Sequence, residues 1–364
     1  MLSRAEIEQV EAHAYTIPTD APEADGTHAW DHTTLVVVEV KAGGRTGLGY
    51  TYADPSLLRL IRHPLDGLLK GQDALAIPAL HAALVAQVRN LGSRGLTACA
   101  ISAIDVALWD LKARLLDLPL AVLFGQARDA VPIYGSGGFT TYANERLRDQ
   151  LGRWVHEDGC GSVKMKIGGE VTTALSRMGA ARQAIGDADL MIDANGACTR
   201  KVALEIAEKA VSLGVTWFEE PVSSDDLPGL HLMRDHAPPP IEIAAGEYGY
   251  DPFYFRRMLE AEAVDVLQAD ATRCRGYTGF LQAAALADAQ GIPLSAHTAP
   301  ALHLHVCCAA PRLRNIEWFH DHVRIESMLF EGAPQPWQGA IRPDLSRPGH
   351  GLAFRRADAQ RFAA

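Results

Sequence analysis

The stretch SVKMKIGGEVTTALSRMGAARQAIGDADLMIDANG, residues 162–196, holds two short β-rich runs, SVKMKIGG and DLMIDANG, with a longer segment between them. Lys164 and Lys166 stand two positions apart in an apolar run. Strand side chains alternate, so both lysines face one side, although lysine is among the residues a chain least readily buries. The second run ends in Asp193 and Asn195, also two apart.

The same texture continues outward from residue 130. The runs AVPIYGSGG, SVKMKIGG, DLMIDANG, VTWFEEP, IEIAAGE, VDVLQAD, IPLSAH and RNIEW alternate with longer segments such as TRKVALEIAEKAVSLG and YTGFLQAAALADAQG. Those segments are helical by period and close on glycine. Eight strands alternating with helices predict an α/β chain folded as a parallel TIM-type barrel, here over residues 126–339. Residues 1–125 read as a separate α+β domain. Within it, TTLVVVEVKAGGRTGLGYTYA is two β-rich runs around Gly43-Gly44, a hairpin signal. Ile101, Ile104, Leu108, Leu111 and Leu115 recur at helical steps and predict a helix with one buried stripe. The Pro/Gly-rich tail, residues 340–364, is expected to pack back on the first domain.

Bulk composition narrows the function. Of 364 residues, 48% are hydrophobic, as in an ordinary globular protein. A net charge of −10 argues against nucleic acid as the main partner, because duplex binding needs a basic face. No apolar run is long enough for a membrane span, and the N-terminus lacks a signal peptide's apolar stretch, so a cytoplasmic location is expected. The six cysteines show no CxxC spacing and read as buried free thiols.

Nearly every strand-like run closes on an ionisable group. Lys166, Asp193, Glu219, Glu247, Asp270, His297 and Glu317 follow one another at gaps of 27, 26, 28, 23, 27 and 20 residues, each about one strand-helix unit. In such barrels the C-terminal strand ends converge on one face and carry the active site, so seven distant groups should meet in one pocket. Asp193, Glu219 and Glu247 would repel one another without a cation between them. Their hard oxygen donors suit Mg²⁺. Asn195 can orient a ligand or a bound water. Lys164 beside Lys166, with partial burial, is expected to lower the Lys166 pKa and make it a general base. Asp270 on the neighbouring strand can fix the tautomer of His297 and raise its basicity. Glu317 can serve as a protonated acid that donates to a developing oxyanion.

This ordered set of Lys-x-Lys, Asp-x-Asn, Glu-Glu-Pro, Gly-Glu, Asp, His and Glu resembles the enolase superfamily, mandelate racemase subgroup, over nearly the whole chain. The resemblance implies an α+β capping domain over a modified (β/α)7β barrel and one Mg²⁺ per active site. It further implies Asp193, Glu219 and Glu247 as ligands of that ion, and Lys166, with Lys164 its neighbour, as the base on one substrate face. His297 with Asp270 would serve the other face, and Glu317 would be the electrophilic acid. The muconate-lactonizing subgroup carries a lysine where His297 stands, which disfavours that assignment. Arg275, in DATRCRGYTGF, replaces the first glycine of a pair common in the family and puts the loop's shape in doubt.

The implied reaction removes the proton α to a carboxylate through an ene-diolate. The expected outcome is dehydration of an acid sugar. The alternatives are racemisation, epimerisation or cycloisomerisation of a 2-hydroxy acid, a barrel aldolase using Lys166 as a Schiff base, and a non-catalytic sugar-acid binder. The expected partner is a small-molecule carboxylate, and a homo-oligomer is expected. Capping loops around IPTDAPEADGTHAWDHTT and TYADPS should supply specificity, with Asp20, His28, Tyr50, His320 and Arg324 as candidate substrate contacts.

Overall fold

The computed structural model describes residues 4–364. The N-terminal region is a three-stranded antiparallel sheet of β1 (Ile7–Ala24), β2 (Ala29–Ala42) and β3 (Arg45–Tyr52). β2 turns into β3 through Gly43 and Gly44, with φ of +55° and +71°. Positive φ at both central residues is the conformation a two-residue hairpin asks of its turn. The long helix α1 (Leu96–Leu115) lies behind this sheet. It is buried on nearly every side rather than along one stripe: Thr97 through Leu108 are all buried. The reason is position, since the sheet covers one side of the helix and the barrel another. Ser102 and Asp105 receive hydrogen bonds from the barrel residues Arg275, Gly276 and Thr278.

Eight parallel strands follow: β4 (Val131–Gly137), β5 (Ser162–Lys166), β6 (Asp189–Asp193), β7 (Val215–Glu219), β8 (Glu242–Ala245), β9 (Val266–Ala269), β10 (Leu294–Ala296) and β11 (Leu313–Phe319). Each pairs with the next, and β11 pairs with β4 to close the ring. Period-two alternation sends Val163 and Met165 of β5 into the main apolar core. Lys164 faces inward instead, with its ammonium 5.4 Å from the Tyr134 ring. Tyr134, Met191, Trp217, Ala244 and Val266 form a small apolar plug inside the barrel. A parallel barrel is filled in layers by its inward side chains, and here the layer above the plug is charged.

The segment expected to be a capping loop, residues 17–34, is instead the extension of the β1–β2 hairpin. Pairing runs to Ala24↔Ala29 with one irregularity between Pro18 and Glu23. Prolines cannot donate to a ladder, and the break falls where Pro18 and Pro22 occur. The tip turns at Asp25, whose Oδ1 accepts from the N–H groups of Thr27 (2.6 Å) and His28 (2.8 Å). The hairpin then lies across the barrel mouth. Thr140 N–H donates to the Ala24 carbonyl at 2.8 Å, and the Thr141 hydroxyl to that of Pro22 at 2.6 Å. After β11 comes α2 (His320–Leu329). In the tail, Ala340–Ile341 pairs with β4, the Phe354 ring packs tilted against Tyr15 with centroids 5.3 Å apart, and Ala363 bridges to Tyr15. Among the described residues no helix is long and apolar enough to cross a membrane.

Candidate active site

The strand-end groups meet at the C-terminal mouth of the barrel, under the hairpin. Asp193, Glu219 and Glu247 are buried, and one oxygen of each lies within 4.8 Å of the others. Lys164 Nζ sits 2.5 Å from Glu219 Oε1, 2.9 Å from Glu317 Oε1 and 3.6 Å from Asp193 Oδ2. Lys166 Nζ lies 2.5 Å from Asp193 Oδ2. His297 Nδ1 is 2.8 Å from Asp270 Oδ2, while Nε2 is 3.3 Å from Glu247 Oε2 and 3.7 Å from Glu317 Oε2. The two nitrogen bases thus touch opposite ends of the carboxylate trio, Lys166 at Asp193 and His297 at Glu247.

The backbone is strained where the strands end. Asn195, Glu220, Thr298 and Ala299 have φ of +47°, +37°, +51° and +39°. Left-handed non-glycine residues are uncommon and gather at sites where surrounding structure imposes them. Asn195 N–H donates to Asp193 Oδ1 at 2.8 Å and holds that carboxylate in place.

Charge states follow from these contacts and correct two expectations. Burial alone would depress the Lys166 ammonium, and Lys164 adds to that. Attraction to Asp193, with Glu247 and Glu317, outweighs both, so the Lys166 pKa is raised rather than lowered. The sequence shows both the lysine pair and Asp193 on the next strand; what it does not show is that the ammonium and the carboxylate close to 2.5 Å, which decides the sign. Glu317 is likewise an ionised acceptor rather than a protonated acid. Burial opposes its charge, but Lys164 and His297 prevail and hold it down to about 2. Its oxygens accept from the Ser136 hydroxyl at 2.6 Å and from Thr298 N–H at 3.0 Å. Burial also works against charge on His297, yet Glu247, Glu317 and Asp270 raise its pKa to about 10. Glu219 is pushed up to about 8 by burial and by Asp193.

The trio fits a divalent cation. It is an all-oxygen, buried donor set, and two polar atoms beside it, Glu220 Oε1 and Asn195 Oδ1, are buried without a hydrogen-bond partner. Such orphaned acceptors are rare in native proteins unless an ion or a water completes them.

A cavity of about 570 Å³ opens above the trio. Lys166, Asn195, Glu247, His297 and His28 line it, with Trp30, Tyr52, Tyr248, Arg273, Thr298 and His322. Four candidate substrate contacts lie elsewhere. Asp20, His320 and Arg324 border a separate depression on the outer side of the hairpin, where His320 Nε2 is 3.1 Å from Asp20. Tyr50 is fully buried and donates to Glu326 at 2.6 Å. Helical geometry explains the first group. His320 and Arg324 are four residues apart on α2 and share a face, while His322 points the other way, into the cavity.

Arg273 escaped the sequence reading. It sits in the loop three residues past Asp270, which returns it to the site, 3.1 Å from Glu247 Oε1 and 3.6 Å from Asp270 Oδ2. Only the spacing from Asp270 could have marked it. Arg275 takes the left-handed conformation a glycine would, with φ +69°. Its N–H and that of Gly276 both donate to Ser102 Oγ, so the loop keeps its shape.

Comparison with known proteins agrees with this geometry. Residues 146–359 match the family Enolase C-terminal domain-like, and residues 10–125 match Mandelate racemase / muconate lactonizing enzyme, N-terminal domain. The chain is an enzyme of the mandelate racemase/muconate lactonizing enzyme family, in the enolase superfamily. Among its relatives is 3,6-anhydro-alpha-L-galactonate cycloisomerase of Streptomyces coelicolor, 31% identical over 96% of this chain and 97% of that one. Another is L-talarate/galactarate dehydratase of Salmonella typhimurium, 32% identical over 80% and 77%. A mandelate racemase/muconate lactonizing enzyme-like protein from Rubrobacter xylanophilus superimposes with TM-score 0.96 at 49% identity, covering 99% and 100% of the two chains. A racemase from Streptomyces coelicolor, solved with bound magnesium, gives 0.92 at 30% identity over 98% and 100%. The Salmonella dehydratase, liganded with Mg and L-lyxarohydroxamate, gives 0.91 at 27% over 100% and 94%.

Proposed function

We propose that this family member removes the proton α to the carboxylate of a polyhydroxy acid and eliminates the β-hydroxyl as water, an acid-sugar dehydratase. One observation carries the reading: two nitrogen bases, Lys166 and His297, reach the same cavity from opposite ends of the Asp193–Glu219–Glu247 trio. Asp193, Glu219 and Glu247 would hold Mg²⁺, which would supply positive charge to polarise the substrate carboxylate and make the α C–H bond ionisable.

The chain's own groups do the rest. With Asp193, Glu219 and Glu247 committed to a cation, Glu317 is the carboxylate left to hold the Lys166 charge, and burial and Lys164 both favour the neutral amine. Lys166 then takes the α-proton. Lys164, buried between Glu219 and Glu317, keeps its charge and stabilises the electron density that builds on the carboxylate. Asp270 fixes the His297 tautomer so that Nε2 faces the cavity, from which it protonates the departing β-hydroxyl. The hairpin over the mouth excludes water during these steps. A dehydratase and a cycloisomerase among the relatives support an ene-diolate with alternative fates. Two opposed bases also permit return of the proton to the other face, which is racemisation.

The test is face-selective exchange. Incubated in D₂O with C5 and C6 sugar acids, the protein should give 2-keto products. Lys166→Ala should lose α-proton exchange from substrates of one configuration, and His297→Asn from the other. Exchange that survives unchanged in both variants would exclude these groups as the bases, and racemised acid without 2-keto product would select the racemase reading.

A further inference from the structure

The relatives' names include acids with one carboxylate and acids with two, so they leave open which kind this cavity takes. The distribution of charge along the cavity separates them. Its lining holds two Lys or Arg side chains, Lys166 and Arg273, and both belong to the barrel end. Neither is free. Lys166 is 2.5 Å from Asp193, and Arg273 is 3.1 Å from Glu247.

The end beside the close of β3 is built differently. Thr33 and Thr34 line it together with Tyr52, His322 and one carboxylate, Asp54, while Asp25 sits at the hairpin tip beside the ends of β5 and β6. The Asp54 carboxyl is held below its usual range by the Ser56 side chain and N–H, so it is anionic. His322 is stacked on Tyr52 with ring centroids 3.5 Å apart, and its Nδ1 accepts from Ala299 N–H at 3.3 Å. Burial presses its imidazole down to about 3, which keeps it neutral with the proton on Nε2. The Tyr52 hydroxyl is buried without a hydrogen-bond partner. The remaining imidazole there belongs to the exposed His32, whose Nδ1 lies 2.6 Å from Asp31.

We infer, on the reading that this cavity takes an acid sugar, that the substrate is a monocarboxylate polyhydroxy acid whose far end is a neutral hydroxyl, and that diacids are excluded. A second carboxylate placed beside Asp54 and a neutral His322 would find like charge and no cation, whereas a hydroxyl finds a donor, a hydroxyl and a carboxylate acceptor. Like-charge juxtaposition of this kind is how a site rejects a near-identical ligand.

The experiment compares matched pairs: D-gluconate with D-glucarate, D-galactonate with galactarate, and each pentonate with its pentarate. Binding to the Mg²⁺-loaded protein is read by calorimetry at pH 8, above the ordinary imidazole range, beside α-proton exchange. The bound monoacid should exceed its diacid in affinity by about tenfold or more, and Asp54→Asn should narrow that ratio at least threefold. Diacids that bind as well as or better than their partners, or no binding by either series, overturn the inference. Monoacids that bind selectively yet exchange no proton would uphold it and refute the dehydratase reading instead.

Discussion

Gly26, at the tip of the hairpin, offers the sharpest test of whether docking of the capping domain is part of the site. A Cβ built on it would lie 2.3 Å from the Ala194 carbonyl oxygen and 2.7 Å from that of Ile167. Both are backbone atoms, each one residue beyond a functional strand end. A carbon settles at about 3.3 Å from such an oxygen, so Gly26→Ala must lift the tip by about 1 Å. The same lift stretches the Thr140 N–H to Ala24 carbonyl bond from 2.8 Å to beyond hydrogen-bonding range. A misplacement of that size around a reacting centre costs about a hundredfold in rate, or about 2.7 kcal/mol of transition-state stabilisation. Gly26 is not in the left-handed region, so alanine adds no backbone strain, and the fold beneath is untouched. The assay is kcat/KM for α-proton exchange beside a thermal melt. We expect kcat/KM to fall about a hundredfold while Tm moves by no more than about 4 °C. A variant with kcat/KM within threefold of the unsubstituted protein would show that hairpin docking plays no part in the chemistry.

Two further outcomes follow from the charged groups. Removing divalent ions with EDTA should stop exchange, and Mg²⁺ restored at a hundredfold over its Kd should stabilise the fold by about 2.7 kcal/mol. Glu219→Gln should weaken both responses, and a melt indifferent to Mg²⁺ would contradict the carboxylate trio as its site. Glu23 is buried with Oε1 unpartnered, and burial together with Asp321 raises its pKa from an ordinary 4.5 to about 8, against the opposing Trp30 N–H. The folded chain therefore keeps a proton that the unfolded chain releases, and stability is lost as pH rises from 4.5 to about 8. Glu23→Gln keeps the Trp30 contact without that loss, so its Tm advantage should grow between pH 5 and pH 8; an advantage constant with pH would refute the argument.

The barrel and its charged mouth were legible because one physical rule links them. Strand side chains alternate and parallel strands end on one face, so a charge repeated at each strand end must converge. Lys166, Asp193, Glu219, Glu247, Asp270, His297 and Glu317 satisfy that rule, and the structure brings all seven together. What failed to be legible depends on contacts between segments far apart in sequence. DAPEADGTH carries the residues of a loop, yet most of it extends a hairpin because β1 and β2 pair across it. His320, His322 and Arg324 look equivalent in a row of polar residues until α2 starts at His320 and divides them between two faces. Arg273 belongs to the site only because the loop after β9 folds back on Glu247.

The protonation of Lys166 shows the same limit and points to its resolution. The barrel mouth gathers six carboxylates, Asp193, Glu219, Glu220, Glu247, Asp270 and Glu317, against four basic groups, Lys164, Lys166, Arg273 and His297. Fully ionised, this set is short by two positive charges, the charge of one divalent ion. Without that charge the deficit falls on the carboxylates least well paired. Glu220 is raised well above its ordinary range by burial and by Glu247 and Asp193, and Glu219 to about 8. The lysines, for the same reason, are held protonated. A cluster that protonates its acids while refusing to deprotonate its lysines is electrostatically incomplete. Two added charges between Asp193, Glu219 and Glu247 would relieve both conditions together, and would turn Lys166 from the counter-ion of Asp193 into a group able to accept a proton.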